Sequence, residues 1–296
     1  MTKIRTIASP IYEILLSFSL YKRQTHLKYL GITKNWYKET RYTISEKLHS
    51  RIMSLNDLSF EDFSVHLIDK FSNKGAFSDY IQWVSNLSAG ELYEMLIPYA
   101  KNNHDLPHDL NARKEEYTEL LSMWYEEYYK NLEREIDPIL KQNVEKLNQH
   151  SLQTNPIREI CKISRGFQIE EIIREEVLLF PSWHMRPISL IDIFNKRIVI
   201  TFPCSPDNKY EDIIIKTKAL SDETRLRILD YLKDTSKSFP QIVDYMNMTK
   251  GNIHHHLLIL RSAGLLEISF KKDLDSFIYK YRNEAALELV NDLNNL

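Results

Sequence analysis

The stretch of sequence that decides the fold is KTKALSDETRLRILDYLKDTSKSFPQIVDYMNMTKGNIHHHLLILRSAGLLEI, residues 216–268. It contains three residues suited to cap helix N termini, Asp222, Ser238 and Thr249. Their side-chain oxygens can accept hydrogen bonds from the unpaired amides of a first turn. Proline and glutamine follow Ser238 two and three residues later, which completes a capping-box pattern. The stretch therefore predicts three short helices.

The end of the third helix is also marked. Gly264 follows Ala263, and glycine is expected where a helix ends in a left-handed turn. Residues 265–268 then begin a β-hairpin. The first helix should bury an apolar stripe at helical spacing: Leu226, Ile228, Leu229 and Leu232. Three helices followed by a hairpin are typical of a winged helix-turn-helix, which places one helix in the DNA major groove.

The third helix has two different faces when its residues are placed about 100° apart. One face is apolar: Ile253, Leu257, Leu260 and Ala263. The opposite face is mostly small and hydrogen-bonding: Gly251, His254, His255, Leu258, Arg261 and Ser262. This second face suits a helix that reads a groove, since Asn and His can bond base edges while Lys and Arg reach phosphates. The alternative is a helical hairpin inside a larger core, with a polar face that is only solvated.

Two blocks of the stretch resemble a known family. Residues 218–229, KALSDETRLRIL, resemble the opening signature of ArsR-type (ArsR/SmtB) bacterial repressors. Residues 249–266 resemble that family's recognition helix, including the HHL, LR and AGL segments. Both blocks occur in order within residues 210–296. The resemblance implies a homodimeric repressor that reads an inverted repeat.

The resemblance assigns DNA contacts to the third helix and to the hairpin. Residues 266–281 fit the wing, with two lysines near its tip. Residues 284–296 fit a final helix, which in this family joins the first one in the dimer interface. The residues predicted to bind double-stranded DNA are Thr249, Lys250, Gly251, Asn252, His254, His255, Arg261, Lys271 and Lys272.

The chain departs from the family pattern where well-known members bind metal. Those members use cysteines before the recognition helix, or His and acidic residues on the last helix, whereas residues 238–247 and 284–296 contain neither Cys nor His. The three consecutive histidines 254–256 cannot converge on one ion, because successive helical residues point about 100° apart. We therefore expect no metal and no cofactor. For His256, at the edge of the apolar face, we expect a structural, hydrogen-bonded role.

Composition fits a soluble globular protein with room for two domains. The 296 residues are 43% hydrophobic and 27% charged, with a net charge of −2. Residues 250–282 nevertheless carry six Lys and Arg against three Asp and Glu. Positive charge is thus local, which is adequate for phosphate contacts and predicts modest nonspecific affinity for DNA.

The expected compartment is the cytoplasm. The two cysteines, Cys161 and Cys204, lie far apart in sequence, which argues for reduced thiols. Lys3 and Arg5 precede an apolar run, but Pro10 interrupts it and no small-residue cleavage site follows. No stretch reaches the roughly 18 apolar residues needed to span a membrane. We therefore expect no membrane partner.

Residues 1–150 read as mostly helical. The clearest apolar stripe predicts one long helix that Pro138 kinks or ends: Tyr117, Leu120, Leu121, Trp124, Tyr125, Tyr128, Leu132 and Ile136. The aromatic residues suit either core packing or an apolar ligand pocket. The N-terminal domain is therefore predicted to set dimer geometry or to sense a small organic effector.

Strands are predicted before the winged helix, at residues 177–180, 188–194 and 197–202, with Asn195-Lys196 as a tight turn. A linker rich in structure breakers follows at residues 203–207. The predicted domains are residues 1–205 and 210–296. The predicted fold is mainly α with a small β component: a helical domain with short antiparallel strands, then a C-terminal winged helix-turn-helix. Residues 9–13 and 180–183 resemble the long N-terminal domain of some ArsR-type regulators.

The sequence thus predicts a DNA-binding transcriptional regulator and not an enzyme. It contains no phosphate-cradling glycine loop, no HExxH and no GxSxG motif. Two alternatives remain open. One is an enzyme with an accessory winged helix, and the other is a protein-interaction scaffold whose winged helix no longer binds DNA.

Overall fold

Helices make up most of the described chain. The computed structural model describes residues 2–32, 35–71, 75–102, 105–150, 152, 155–169, 175–204, 209–271 and 276–296. The α-helices in these ranges are α1 (Pro10–Arg23), α2 (Trp36–Thr43), α3 (Glu46–Ser54), α4 (Ser59–Phe71), α5 (Phe77–Asn86), α6 (Ala89–Leu96), α7 (Leu110–Glu127), α8 (Glu133–His150), α9 (Pro156–Ile163), α10 (Lys209–Leu220), α11 (Glu223–Tyr231), α12 (Phe239–Met246), α13 (Lys250–Ser262) and α14 (Asn283–Asn294). The strands are β1 (Lys3–Thr6), β2 (Phe167–Gln168), β3 (Glu176–Ser182), β4 (Leu190–Ile193), β5 (Arg197–Pro203), β6 (Lys237–Ser238), β7 (Leu266–Lys271) and β8 (Ser276–Tyr281). Among the described residues, no helix is both long and apolar enough to cross a membrane.

Helix α1 is the central helix of the N-terminal region, which we define as residues 2–204. It begins at Ser9, whose hydroxyl accepts a hydrogen bond from the Tyr12 amide at 3.2 Å. Phe18 packs edge-on against Trp124 of α7, with ring centroids 6.0 Å apart. The indole of Trp124 donates to Ser17 Oγ at 3.0 Å. Apolar packing and satisfied polar groups together hold α1 against α7.

The predicted long helix is wrong, because the chain breaks between α7 and α8. Tyr128 has φ −123° and ψ −64°, and a short 3₁₀ turn at Tyr129–Asn131 follows it. The Tyr128 ring is buried and its hydroxyl accepts a hydrogen bond from Trp36 Nε1 at 2.7 Å. Pro138 lies inside α8 and does not end a helix. Burial of the tyrosines at this corner overrides the local helical spacing.

The N-terminal sheet is mixed, which corrects the predicted antiparallel arrangement. Its strand order is β1-β3-β5-β4, and both β1 and β5 run parallel to β3. Only β4 and β5, among the described strands of this sheet, form an antiparallel pair. Their turn is the predicted Asn195-Lys196 pair, closed by a 2.8 Å bond from the Phe194 amide to the Arg197 carbonyl. The partner of β1 lies about 170 residues away, so no local pattern identifies β1.

The mixed sheet is buried on both faces. Leu178 and Phe180 of β3 face the core around α1, while Val177 and Leu179 pack with Ile160 of α9 on the other side. A strand covered on both faces needs apolar residues at successive positions. This explains why β3 and β5 appear in the sequence as continuous apolar runs.

Glu13 joins the two N-terminal blocks, residues 9–13 and 180–183. Its buried carboxylate accepts hydrogen bonds at Oε1 from the amides of Trp183 (3.0 Å) and His184 (2.8 Å). The same oxygen lies 2.7 Å from His184 Nδ1, and His184 Nε2 lies 2.8 Å from Tyr128 Oη. The network fixes the start of α1 to the end of β3 and to the corner between α7 and α8.

Residues 209–296 form the winged-helix region around a separate apolar cluster. Helix α10 was not predicted. The predicted stripe on α11 is wrong at Leu226, which is 48% exposed. Arg225 is buried instead and donates to the carbonyls of Ala219 (2.6 Å) and Lys218 (2.9 Å). These bonds satisfy unpaired carbonyls at the end of α10 and connect it to α11.

The two regions share a sheet. β2, in the N-terminal region, pairs in parallel with β7 of the wing. The amide of Ile268 donates to the Gly166 carbonyl at 2.8 Å. Gly166 has φ +120°, and a Cβ there would lie 1.9 Å from the Leu266 carbonyl oxygen. Arg165 adds an ion pair to Asp212 of α10 at 2.9 Å. We call this joined geometry the docked arrangement.

Candidate nucleic-acid interface

Local capping sets the position of helix α13, as predicted. The Thr249 hydroxyl accepts a hydrogen bond from the Asn252 amide at 3.3 Å. Asn247, with φ 50° and ψ 46°, turns the chain between α12 and α13. The other two predicted caps are present as well, because Asp222 accepts from the Arg225 amide and Gln241 accepts from the Ser238 amide. The three short helices therefore begin where the sequence places them.

The apolar face of α13 packs into the core of the winged-helix region. Ile253, Leu257 and Leu260 are buried and belong to the apolar cluster of this region. The helix contacts α11 and α12 on this side. Gly264, with φ +67°, follows the helix as predicted, in a conformation that favours glycine.

The first turns of α13 present a free polar surface. Lys250, Gly251, Asn252 and His254 are all exposed. A Cβ added at Gly251 would meet no atom within 4 Å, so the helix surface is open to a close partner at this position. The helix N terminus also carries a partial positive charge that attracts anions. This surface combines hydrogen-bonding groups with positive charge.

His255 is not free. Its Nδ1 lies 2.7 Å from Tyr29 Oη, and the two ring centroids are 5.5 Å apart. Tyr29 belongs to a 3₁₀ helix, Leu27–Tyr29, that contacts α13. Burial, followed by the nearby Lys28 charge, lowers the pKa of His255. His255 therefore lies at the border between the open part of α13 and the N-terminal region.

The second half of α13 is covered on the side that the sequence predicts to face a groove. Leu258 is only 2% exposed and Ser262 is buried. The Arg261 guanidinium donates to the Ser189 carbonyl at 3.4 Å and lies 5.5 Å from the Phe167 ring centroid. Burial lowers the pKa of Arg261. Leu258 and Ser262 thus differ from their predicted exposure. The N-terminal region reaches this side of α13 at Arg261 and at Ser262, whose carbonyl accepts a hydrogen bond from the Arg165 guanidinium at 3.0 Å.

His256 lies at the edge of the core, as predicted, but the predicted hydrogen bond is missing at one ring nitrogen. Its Nδ1 is buried without a hydrogen-bond partner and lies 3.8 Å from Asp222 Oδ1, beyond hydrogen-bond distance. Within the described ranges, no group of three or more His, Cys, Asp or Glu side chains is arranged to hold a metal ion.

The wing follows α13 as an antiparallel hairpin. β7 and β8 pair from Leu266 opposite Tyr281 to Lys271 opposite Ser276. Lys271 is the last residue of β7, and its side chain lies outside the described part of the structure. Lys272 also lies outside the described residues. The backbone thus places Lys271 at the far end of the hairpin from α13.

Sequence reasoning missed the residues that meet α13 from the N-terminal region. Tyr29 precedes its partner His255 by 226 residues, and Ser189 precedes Arg261 by 72. Neither residue stands in a motif. Contacts between distant segments leave no periodic signal in a single sequence.

Comparisons with known proteins agree on the C-terminal region. A model of the bacterial regulatory protein arsR family matches residues 222–267. The transcriptional repressor SdpR of Bacillus subtilis (strain 168) is 38% identical over 71 residues, covering 24% of this chain and 76% of the relative. An uncharacterized HTH-type transcriptional regulator of the same organism, YbzH, is 32% identical over 85 residues, covering 24% of this chain and 82% of the relative. Among solved structures, an ArsR-like transcriptional regulator from Rhodococcus sp. RHA1 is 24% identical with a TM-score of 0.27, over 29% of this chain and 79% of that chain.

Proposed function

Since the chain belongs to the arsR family of bacterial regulatory proteins, we propose that it is a homodimeric transcriptional repressor that reads an inverted repeat. The observation that carries this proposal is the exposed N-terminal end of α13, which carries a partial positive charge. Thr249 caps this end, and the apolar face of the same helix is buried. Such a helix enters the major groove with its first residues against base edges. We propose repression because the relative SdpR is named a transcriptional repressor.

The exposed residues of α13 divide into two roles. Asn252 and His254 carry groups that bond base edges, while Lys250 contacts phosphate. The N terminus of α13 faces the backbone of the duplex, and the lysines of the wing contact phosphates beside the groove. His255 and Arg261 reach DNA only after α13 separates from Tyr29 and Ser189. We therefore propose that operator binding competes with the docked arrangement.

The dimer contact lies on α14 and α10. Helix α14 exposes an apolar row at Leu287, Val290 and Leu293, and α10, which packs on α14, exposes Tyr210. Large apolar side chains grouped on two neighbouring helices are typical of a surface that a second copy covers. A two-fold pair then presents two α13 helices to half-sites about one helical turn, roughly 34 Å, apart.

Selection of genomic fragments by the full chain tests the proposed function. A dimeric repressor should enrich one short inverted repeat and keep its preference as salt rises, although its affinity falls. Asn252→Glu is a matched variant, because residue 252 is exposed and a carboxylate there repels phosphate. That variant should enrich nothing. Equal recovery of all fragments by the wild-type chain would reject the repressor and favour an enzyme or a scaffold.

A further inference from the structure

A cavity of about 460 Å³ lies where the N-terminal region meets the winged helix. Residues 28–31 and Pro187 form one wall, α10 forms the second, and α13 forms the third with His255, Ile259 and Ser262. Small-molecule sites commonly have this size and occur preferentially at domain interfaces. The cavity adjoins the half of α13 that the docked arrangement covers.

Apolar side chains form most of the cavity wall: Leu30, Pro187, Ile214, Ile215, Ala219 and Ile259. Ile214 is 47% exposed, so apolar surface faces solvent at the opening. An apolar ligand would remove this surface from water, which contributes roughly 25 cal/mol of favourable binding free energy for each Å² buried. The cavity therefore suits a molecule that is largely hydrocarbon.

The charged residues of the cavity favour a single negative charge on that molecule. Lys28 and Lys218 both line it, and the Lys28 amine lies 4.9 Å from the Tyr29 ring centroid. Glu211 is the one acidic side chain among the lining residues of the described structure. Tyr29 Oη and His255 Nδ1 already satisfy each other at 2.7 Å. Two lysines against one glutamate leave one positive charge for a ligand to neutralise, and the glutamate disfavours a second anionic group.

We propose that this cavity binds an apolar organic acid with one carboxylate. The lysines hold the carboxylate, and the isoleucines of α10 and α13 contact the hydrocarbon part. Because the ligand touches residues 28–31, α10 and α13 together, it stabilises the docked arrangement. It therefore lowers operator affinity, since the docked arrangement holds His255 and Arg261 of α13 against Tyr29 and Ser189. This consequence rests on the proposed repressor function, whereas ligand binding itself does not.

Calorimetry on the full chain tests the site directly, with decanoate as the probe and 1-decanol as its neutral match. Decanoate should bind at least about tenfold more tightly than decanol, a difference of roughly 1.4 kcal/mol. Decanedioate, which adds a second carboxylate to the same chain length, should bind more weakly than decanoate because of Glu211. Equal binding of decanoate and decanol, or no binding of either, would overturn the proposal.

Lysine variants locate the site. Lys28→Met combined with Lys218→Met keeps the length of both side chains, so decanol should bind as in the wild type while the advantage of decanoate disappears. Retained decanol binding shows that the cavity is intact. Lys38→Met, on the exposed surface of α2, should change neither affinity. Wild-type affinity for decanoate in the double variant would refute the assignment.

Operator binding separates this proposal from the proposed function. Saturating decanoate should lower the operator affinity of the wild type by about tenfold or more and leave that of the double lysine variant unchanged. Decanoate bound without any effect on operator affinity would contradict the regulatory part. Decanoate bound by a chain that selects no operator would refute the repressor function and leave the binding site standing.

Discussion

Asn252 is the side chain on α13 best suited to read a base. It is exposed in the first turn, and its side-chain amide offers both a hydrogen-bond donor and an acceptor. Asn252→Ala should weaken operator binding by on the order of 1–3 kcal/mol and reduce the base preference at one position of each half-site. Fluorescence anisotropy on the operator and on singly substituted operators measures both effects. Asn111→Ala, on the exposed surface of α7, is the matched control and should change neither.

The wing lysines provide the contrasting case. Lys271→Ala with Lys272→Ala should weaken binding to all sequences alike and flatten its dependence on salt, because phosphate contacts carry no base information. The assignment of roles would be wrong if the lysine changes altered base preference and Asn252→Ala did not.

His255 couples the docked arrangement to pH. Burial, followed by the surrounding charges, lowers its pKa from 6.5 in the docked arrangement. Coulombic interactions with Lys28, His256 and Arg225 lower it, and the interaction with Asp222 acts in the opposite direction. When α13 leaves Tyr29, the pKa returns toward 6.5, so the released form binds protons more readily. Docking therefore loses stability as the pH falls through about 6.5.

We expect operator affinity to rise as the pH falls from about 7.5 to about 5.5, and to rise more steeply in the wild type than in His255→Gln. His108→Gln serves as control, since residue 108 is exposed, lies just before α7 and should keep the wild-type slope. Binding isotherms across this range give the slopes. The same slope in wild type and His255→Gln would exclude His255 as the titrating group.

At the scale of elements, the sequence predicts what local chemistry determines. The caps Asp222, Ser238 and Thr249, the stop at Gly264 and the wing are all present, because each depends on residues within one or two turns. The hairpin at Asn195-Lys196 is present for the same reason. These elements hold the exposed start of α13, so that part of the candidate interface was predictable.

The elements that the sequence missed depend on distant partners. β1 and β2 are short, and each is fixed by a parallel partner elsewhere in the chain. The break at Tyr128 follows from its buried contact with Trp36, 92 residues away. The covered half of α13 likewise depends on Tyr29 and Ser189. Tertiary contacts override local spacing in each of these cases.

The pairing of β2 with β7 supports the docked arrangement, and Gly166 permits it. Gly166→Ala should separate these strands, since its Cβ would lie 1.9 Å from the Leu266 carbonyl oxygen and φ is +120°. We expect the free energy of unfolding to fall by on the order of 1–3 kcal/mol. The Ile268 amide, which donates to the Gly166 carbonyl, should exchange its hydrogen faster, and operator affinity should rise.

Denaturant titration and hydrogen exchange measure these effects. Gly90→Ala is the control, because its Cβ would meet only Ser88 Oγ, at 4.0 Å. Unchanged exchange at Ile268 in Gly166→Ala would contradict the role given to this strand pair.

At the scale of the whole molecule, regulation should not depend on a metal ion. Residues 238–247 and 284–296 contain no Cys or His, and the described residues hold no group of three or more potential ligands. Treatment with EDTA should leave operator affinity unchanged, and added zinc should shift it by less than about tenfold, or 1.4 kcal/mol. Elemental analysis of the purified chain checks the same point. Stoichiometric, tightly bound zinc in the purified chain, together with release of DNA when zinc is added, would refute this prediction.

The central claim is that α13 reads a groove in each half of an inverted repeat. The most direct test is DNA cleavage by an iron chelate attached at position 252. Cys161 and Cys204 are buried, and burial raises the pKa of Cys161 to about 11, so an iron chelate added to Asn252→Cys reacts at that position. On the selected operator, strand breaks should fall in two clusters about one helical turn, roughly 10 base pairs, apart. The same chelate on Asn111→Cys should leave the DNA intact. Absence of cleavage from position 252 while the chain remains bound would contradict the account.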